Sequence, residues 1–455
     1  MSSDVAATTN ARSPVRLAGF LLLFALVNGL LVNWALPNLP WQAQQMTTLS
    51  YTEAFIDHTA HGDSWKAMRT ALFYTDEARV KPIYTALYFE NNVRFQYPPS
   101  SLLVLRALRA MGGDAAVGDG TLNRIGWWCV VGIAMSLVPI FYLARKRYGL
   151  VDGDRGDGEG PGRLLPEALF ALATVAMTLT FYPIVRGYYL GQIQVWIDLL
   201  IALVVLAWLV DRKSLSGFFL ALICVIKPTL ALVVIWGALR REWSFIRGFA
   251  IPMAGFAALS LYAFGWDNHV DYLGVLSYIS QQGEIFNPNQ SMNGLLHRLL
   301  HNGNSLEWAK DGLITYNPFV HAGTVLSTLA LMGAGLFASR SESSEKNAGP
   351  LELAIIIVCA TLASPTVWTH HYGVMLPLFA VALPAVLSLE QPVRQRYLLG
   401  LVVSFALMSN NFRLLNRLAE TNFNFLQSYV YFAGLGLLVL LFALRRRKSN
   451  SPDPA

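Results

Sequence analysis

The segment most suggestive of chemistry is residues 364–372, SPTVWTHHY, in which His370 and His371 close a hydrophobic run. A neutral imidazole accepts a proton, and an imidazolium pairs with phosphate. Polar groups at the mouth of a membrane helix are costly, and they mark functional sites by default. A metal site is the alternative, but neither an HExxH motif nor a nearby carboxylate pair accompanies the histidines. The pair therefore predicts a reacting site without a metal.

Three further polar segments interrupt the apolar sequence at similar predicted depth: FQYPPSS at 95–101, GQIQ at 191–194 and NQSMNGLLHR at 289–298. Polar side chains avoid lipid, so we expect the segments to line one pocket on one side of a bilayer. Phe95 and Tyr97 are predicted as aromatic anchors at the membrane interface. Interhelical hydrogen bonds and a capped polar loop are the alternatives for the second and third segments. The predicted substrate-binding residues are Tyr97, Gln192, Gln194, Asn289, Gln290, Asn293 and Trp368.

Two charged residues have the types that sugar or phosphate transfer requires. Lys227 lies within an apolar run, directly before a proline. An ammonium at that depth needs an anion, which a lipid phosphate would supply, although snorkelling to a headgroup is the alternative. Asp63 is the predicted general base, because a carboxylate can take the proton of an attacking hydroxyl. It suits a helix N-cap equally well, and Asp57 is the rival base.

The composition places these residues in a membrane protein. Of the 455 residues, 54% are hydrophobic and 14% are charged, whereas soluble proteins carry roughly 25% charged residues. The net charge is +6, but the basic residues cluster at helix ends and so indicate topology, with no nucleic-acid partner. Cys129, Cys224 and Cys359 lie in apolar runs without paired spacing, which argues against a disulfide framework or zinc site.

The hydrophobic pattern predicts an all-α polytopic protein, with residues 1–455 as a single domain. A spanning helix needs about 20 apolar residues. The candidate runs are 17–36, 122–144, 166–184, 191–210, 245–265, 319–339, 351–368, 373–389, 397–411 and 427–444. Residues 214–239 have basic residues at both ends and Pro228 in the middle, which predicts a helical hairpin broken at Lys227. About twelve transmembrane helices follow, with both termini and the basic groups, including Arg340, in the cytoplasm.

The remaining segments lie outside these helices. Residues 18–36 are predicted as a retained signal anchor. Residues 37–121, the first long loop, and 266–318, the second long loop, are predicted to face outward, and long loops are usually functional. Within the first, residues 102–111 carry two arginines and predict a helix along the membrane surface. Residues 1–15 and 446–455 are predicted as disordered cytoplasmic tails, and 151–162 as a flexible linker.

Taken in order, the motifs resemble those of glycosyltransferase family 87 of the GT-C superfamily. They are Asp63, Tyr84, Tyr97-Pro98-Pro99, Gly191-Gln192-Ile193, Lys227 beside a proline, Asn289-Gln290-Ser291, and 364–371. The pattern is similar to that of the mycobacterial alpha-mannosyltransferases that elongate phosphatidylinositol mannosides. The resemblance implies a GT-C-type fold that needs no cofactor or tightly bound metal.

The resemblance also implies the reaction and its partners. A polyprenyl-phosphate sugar, with mannose favoured, would donate to a glycolipid or glycan hydroxyl at the periplasmic or outer face of the cytoplasmic membrane. Asp63 would act as base in a single inverting displacement, and Lys227, His370, His371 and Arg298 would meet the charge of the leaving phosphate. A transporter or flippase of lipid-linked sugars is the alternative, although transporters usually have related halves and no internal repeat is evident here.

Overall fold

A computed structural model describes residues 14–30, 46–77, 81–150, 164–308, 315–337 and 349–449. In these ranges the chain is helical, and its only β pairing is a single bridge between Asn289 and Trp368. The predicted all-α class is therefore confirmed. The predicted linker at 151–162, Arg340 and most of both predicted tails lie outside the described residues. Residues 446–449, predicted as tail, are instead helical, because cations are favourable in the last turn of a helix.

The helices follow the predicted apolar runs closely, with short 3-10 turns between several of them. In chain order they are α1 (Pro14–Leu30), α2 (Thr48–Ile56), α3 (Asp63–Tyr74), α4 (Leu102–Gly112), α5 (Asp119–Arg147), α6 (Leu164–Leu179), α7 (Tyr182–Leu190), α8 (Gln194–Leu209), α9 (Lys213–Ile226), α10 (Leu232–Leu239), α11 (Trp243–Phe264), α12 (Trp266–Gln282), α13 (Met292–Leu299), α14 (Pro318–Phe337), α15 (Gly349–Leu362), α16 (Leu376–Leu387), α17 (Val393–Met408) and α18 (Tyr429–Ser449).

Several of these helices can cross a membrane. Among the described residues, 5 helices are long and apolar enough, namely α5, α11, α14 and the spans that contain α16 and α18. Helices α6 and α7 would form a sixth span, bent by 57°. Helices α8 to α10, α15 and part of α1 are shorter apolar segments. The chain is therefore a multi-pass membrane protein. The count of about twelve spans and the interfacial position of α4 stay predictions.

The predicted hairpin is broken where the sequence indicates. Helix α9 ends at Ile226, and Pro228 begins a 3-10 turn that leads into α10, because proline lacks an N–H and its ring clashes with the preceding turn. The two ends of the hairpin meet, since Lys213 Nζ lies 3.7 Å from Glu242 Oε1. The hairpin therefore returns to the end of the helix bundle from which it started, as predicted.

Basic groups gather at this same end. Glu352 accepts a hydrogen bond of 2.8 Å from Arg445 Nε and also pairs with Arg240, so α10, α15 and α18 are joined by buried charges. Arg147 lies within electrostatic range of Lys213. Helix α8 separates this end from the GQIQ segment by about 24 Å, at ~1.5 Å per residue. The convergence of the basic groups agrees with the sequence-based topology.

The two long loops are joined to each other at the opposite end. Asp271 of α12 accepts hydrogen bonds of 2.8 Å from the backbone N–H groups of Tyr84 and Thr85 and from the Thr85 hydroxyl. Asn268 Oδ1 accepts another, 2.7 Å long, from the Ile83 N–H. These bonds satisfy backbone N–H groups that have no partner within the helix at the start of a helical turn. Residues 83–85 of the first long loop are thereby held against α12 of the second long loop.

Candidate functional site

The start of α3, which carries Asp63, is fastened to the turn between α7 and α8. The Ser64 N–H donates to the Gly191 carbonyl at 3.2 Å, and the His61 N–H donates to the Tyr189 carbonyl at 2.8 Å. Gly191 has φ of +68°, and a Cβ there would overlap the carbonyl of His61. Only glycine suits both the left-handed conformation and the close approach of the two backbones. The GQIQ turn therefore positions the predicted base.

Asp63 is the first residue of α3, after the N-cap Gly62. Its carboxylate accepts a short hydrogen bond from Gln192 Nε2, while Gln192 Oε1 accepts one of 2.7 Å from the Ser64 hydroxyl. Asp63 is accessible to solvent, yet partial desolvation raises the pKa of its carboxyl group above the ordinary value. The hydrogen bond from Gln192 and the charges of Arg186 and His61 oppose this rise. An accessible carboxylate with increased proton affinity has the properties of a general base.

Tyr97 belongs to the same network. Its hydroxyl lies 3.0 Å from the Ser64 hydroxyl, and its carbonyl accepts a 2.6 Å bond from the Tyr84 hydroxyl. Burial raises the pKa of Tyr97 to about 12, so the phenol keeps its proton. Phe95 is fully buried and stacks on Tyr84 at 5.5 Å. The prediction of Phe95 as an interfacial anchor is therefore wrong, because its ring is buried within the first long loop against Tyr84.

Arg186 joins the base to the paired histidines. Its guanidinium donates to the Thr369 hydroxyl, beside His370, and to the Tyr182 hydroxyl at 2.8 Å. The Arg186 charge acts on both Asp63 and His370. Arg186 therefore acts electrostatically on one residue of the first long loop and on one residue of the double histidine, as the predicted convergence requires.

The two imidazoles adopt different surroundings. Their rings lie 4.7 Å apart and nearly perpendicular. The backbone N–H of Trp368 donates to His371 Nδ1 at 3.2 Å, so a neutral His371 carries its proton on Nε2. His370 is the more deeply buried of the two, and the charges of both Arg186 and Lys227 act on it. Cations thus act on the pair from α7 and from the break in the hairpin.

Lys227 enters the site from the break in the hairpin. Its Nζ lies 3.3 Å from Gln194 Oε1, and Gln194 Nε2 donates to Asp198 Oδ1 at 2.8 Å. The Ser100 hydroxyl of the FQYPPSS segment donates to the Val225 carbonyl at 2.7 Å, which fixes the end of α9. The other oxygen of Asp198 has no hydrogen-bond partner among the described residues. Lys227, Gln194 and Asp198 therefore form one buried polar cluster.

The second long loop uses its polar residues differently. Arg298 is fully buried and donates to the carbonyls of Ile285 and Asn289, at 3.0 and 2.9 Å, and to the Ser428 hydroxyl. Asn289 Oδ1 accepts from the Val367 N–H at 3.0 Å. Gln290 and Asn293 also bond mainly to backbone groups of neighbouring segments. Asn289 therefore holds the loop against segment 364–372, and the other three side chains bond within the loop or to Thr324 and residues 427–431. Trp368 remains partly exposed beside the histidines.

The structure adds three residues to those selected from the sequence. Arg186, Ser64 and Asp198 contact Thr369, Gln192 and Gln194 respectively. A charge within an apolar run is a recognisable signal for Arg186 and Asp198, but Ser64 has none. Over the described ranges, no group of three or more His, Cys, Asp and Glu residues could hold a metal ion.

This arrangement defines a polytopic membrane protein with an accessible carboxylate next to a cluster of cations and imidazoles. The sequence model of Glycosyltransferase family 87 matches residues 95–365, more than half of the chain. The chain therefore belongs to this family and is a membrane glycosyltransferase. No curated protein matches it. Asp63 and the two histidines lie beyond the two ends of the matched range, so their grouping with Gln192 and Lys227 comes from the structure.

Proposed function

We propose that the protein transfers a sugar, with mannose favoured, from a polyprenyl-phosphate donor to a hydroxyl group of a glycolipid or glycan. The reaction takes place at the periplasmic or outer face of the cytoplasmic membrane, in a GT-C-type fold of about twelve spans. The observation that carries the proposal is the hydrogen bond from Gln192 to Asp63, which ties the carboxylate to the turn after α7, the helix that bears Arg186. This connection supports the assignment of Asp63 as base to the same site as the groups suited to a phosphate.

The proposed reaction is a single displacement. The Asp63 carboxylate takes the proton of the acceptor hydroxyl, whose oxygen attacks the anomeric carbon while the bond from that carbon to the phosphate oxygen breaks. The leaving phosphate keeps the electron pair, and the configuration is inverted. Lys227, His370, His371 and Arg186 meet the charge that develops on the phosphate, because fixed donors and cations stabilise developing charge strongly in a site shielded from water.

The roles of the remaining predicted residues divide in two. Gln192 orients the base directly, and Tyr97 supports this contact through Ser64. Gln194 orients Lys227. Trp368 faces the substrate. For Arg298, Asn289, Gln290 and Asn293 the described bonds support a positioning role in place of direct substrate binding, because the guanidinium and amide donors of these residues point at protein groups.

The proposal is tested with purified protein, a panel of polyprenyl-phosphate sugars and a membrane lipid extract. Wild-type protein should label one lipid fraction, and nuclear magnetic resonance of the product should show an inverted anomeric configuration. Asp63→Asn should reduce kcat by about 10²–10⁴-fold, the usual contribution of general base catalysis. The matched control is Asp57→Asn, an exposed acid in the same loop, which should retain activity. Retention of configuration, or full transfer activity of Asp63→Asn, contradicts the proposed mechanism, and the latter result assigns the base to another residue. A flippase would label no fraction in either the wild type or the variant.

A further inference from the structure

Asp198 is a buried acid to which the proposed reaction gives no role. It lies one turn into α8, and 1% of it is exposed. Its Oδ1 accepts a 2.8 Å hydrogen bond from Gln194 Nε2, and the Oε1 of the same amide lies 3.3 Å from Lys227 Nζ. The Gln194 amide therefore joins a buried carboxylate to the ammonium group that is assigned to the donor phosphate.

The second oxygen of Asp198 faces the 3-10 turn 369–375, which carries the two histidines. Within the described ranges this oxygen has no hydrogen-bond partner. A Cβ at Gly373 would overlap it, so the absence of a side chain at this position lets the turn pack directly on the carboxylate. Asp198 Oδ2 is thus enclosed by protein, and it is free of any donor that would stabilise its negative charge.

Lys227 is the counter-ion that this carboxylate has in the described part of the chain. The ionisable groups in electrostatic range of Asp198 there are Lys227, at the break of the hairpin, and Cys129 of α5, and only the first is a cation. Helix α16 also packs against α8 and has no ionisable side chain. Other elements packed against α8 carry Arg186, Cys224, Glu352, Cys359, His370 and His371.

A donor phosphate would change the charge balance of this cluster. Without it, the ammonium of Lys227 and the carboxylate of Asp198 neutralise each other across Gln194. The phosphodiester of a polyprenyl-phosphate sugar carries one negative charge, so its pairing with Lys227 would leave Asp198 as a second buried anion. A buried carboxylate that has lost its cation is costly and takes a proton instead. An ionised Asp198 would also oppose the charge that develops on the leaving phosphate.

We propose that Asp198 is the counter-ion of Lys227 in the donor-free protein, and that it takes up a proton when the donor phosphate replaces it. Donor binding is then coupled to the uptake of one proton. The new O–H bond forms on Asp198 Oδ2, the proton comes from the solvent, and no other bond changes. Asp198 is a positioning residue, because it acts on the donor through Lys227. The inference rests on the proposed function and deepens it.

The test is infrared difference spectroscopy of the full chain in lipid nanodiscs, with and without polyprenyl-phosphate mannose. No acceptor is added, so no sugar is transferred. In the wild type, the donor should produce the C=O stretching band of a protonated carboxyl group. Asp198→Asn keeps the shape of the side chain and should lack this band. Asp63→Asn is the matched control and should keep it, because Asp63 bonds to Gln192, outside this cluster.

The affinity of the wild type for the donor gives an independent measurement. When one proton is taken up per bound donor, Kd rises about tenfold for each unit of increase in pH, over the range in which the complex holds the proton and the donor-free protein does not. A residue that only supports the fold would produce neither this slope nor the infrared band.

Three results would overturn the inference. The first is a wild-type spectrum without the band, which needs no variant to interpret. The second is a band that persists in Asp198→Asn, which assigns the proton to another acid. The third is a wild-type Kd that does not depend on pH. If the wild type does not bind the donor, the proposed function fails, and inorganic phosphate then replaces the donor in the same spectra: the inference requires a band that phosphate produces in the wild type and not in Asp198→Asn.

Discussion

Gln192 offers the sharpest test of the proposed base, because it touches Asp63 without being able to take a proton itself. Its amide donates to the Asp63 carboxylate and accepts from Ser64. A donor stabilises the ionised form, so this hydrogen bond lowers the pKa of Asp63 against the rise caused by desolvation. Gln192→Met keeps the length of the side chain and removes both polar groups. The pKa of Asp63 should therefore rise further.

The size of the shift follows from the bond that is lost. A hydrogen bond to a charged group contributes about 1.5–3 kcal/mol, and one pKa unit corresponds to about 1.36 kcal/mol. Asp63 is open to solvent, so water replaces part of the lost bond, and the lower end of the range applies, about one unit. Because the base must be ionised to accept a proton, activity is lost as pH falls through this pKa. The acid limb of the kcat/KM profile should move about one unit to higher pH.

The assay is sugar transfer from the polyprenyl-phosphate donor at a series of pH values, for wild type and Gln192→Met. Gln194→Met is the matched control, since Gln194 bonds to Lys227 and Asp198. It should weaken donor binding and leave the acid limb in place. If the acid limb of the kcat/KM profile lies at the same pH in Gln192→Met as in the wild type, and activity is lowered equally at every pH, the assignment of Asp63 as the titrating base is refuted.

Three further changes test other parts of the structure. Lys227→Met should raise the donor KM by about tenfold or more, because a charge-assisted contact of ~1.5–3 kcal/mol with the phosphate is lost; an unchanged donor KM would remove Lys227 from the site. Gly191→Ala, at φ of +68° and against a neighbouring carbonyl, should lower both the melting temperature and the transfer rate, whereas Gly120→Ala, with open space around it, should change neither. Glu352→Ala removes the carboxylate that Arg445 bonds at 2.8 Å and should destabilise the protein by about 3–5 kcal/mol, measured by thermal unfolding in detergent. A loss of about 1 kcal/mol or less, which is typical of an exposed ion pair, would contradict a buried ion cluster.

Local signals account for what the sequence could predict. The break of the hairpin follows from Pro228 and from the basic residues that flank the segment, since both act within a few residues of their position. Helix limits followed in the same way from the lengths of apolar runs. The grouping of Asp63 with Gln192 was predictable only from the resemblance of the motifs to those of a family. The two residues are 129 positions apart, and nothing around either one in the sequence indicates that they form a hydrogen bond.

Partners distant in the chain account for what the sequence could not predict. Arg298 has the residue type of a phosphate ligand, yet its donors reach backbone carbonyls and Ser428, 130 residues away. Phe95 has the residue type of an interfacial aromatic, yet it is buried against Tyr84. In both cases the residue type is compatible with two environments, and tertiary packing decides between them.

The glutamines of this protein show what separates a positioning residue from one that takes part in binding or catalysis. Gln290 donates to the carbonyls of Asn287 and Gln427 at 2.6 and 2.7 Å and accepts from the Val430 N–H at 3.1 Å, so its amide fixes backbone geometry. The amides of Gln192 and Gln194 bond instead to ionisable side chains. A bond to a backbone group affects only stability, whereas a bond to a carboxylate or ammonium also affects protonation and charge. The partner of a buried amide, and not its residue type, therefore determines whether its loss appears in a melting curve or in a pH profile.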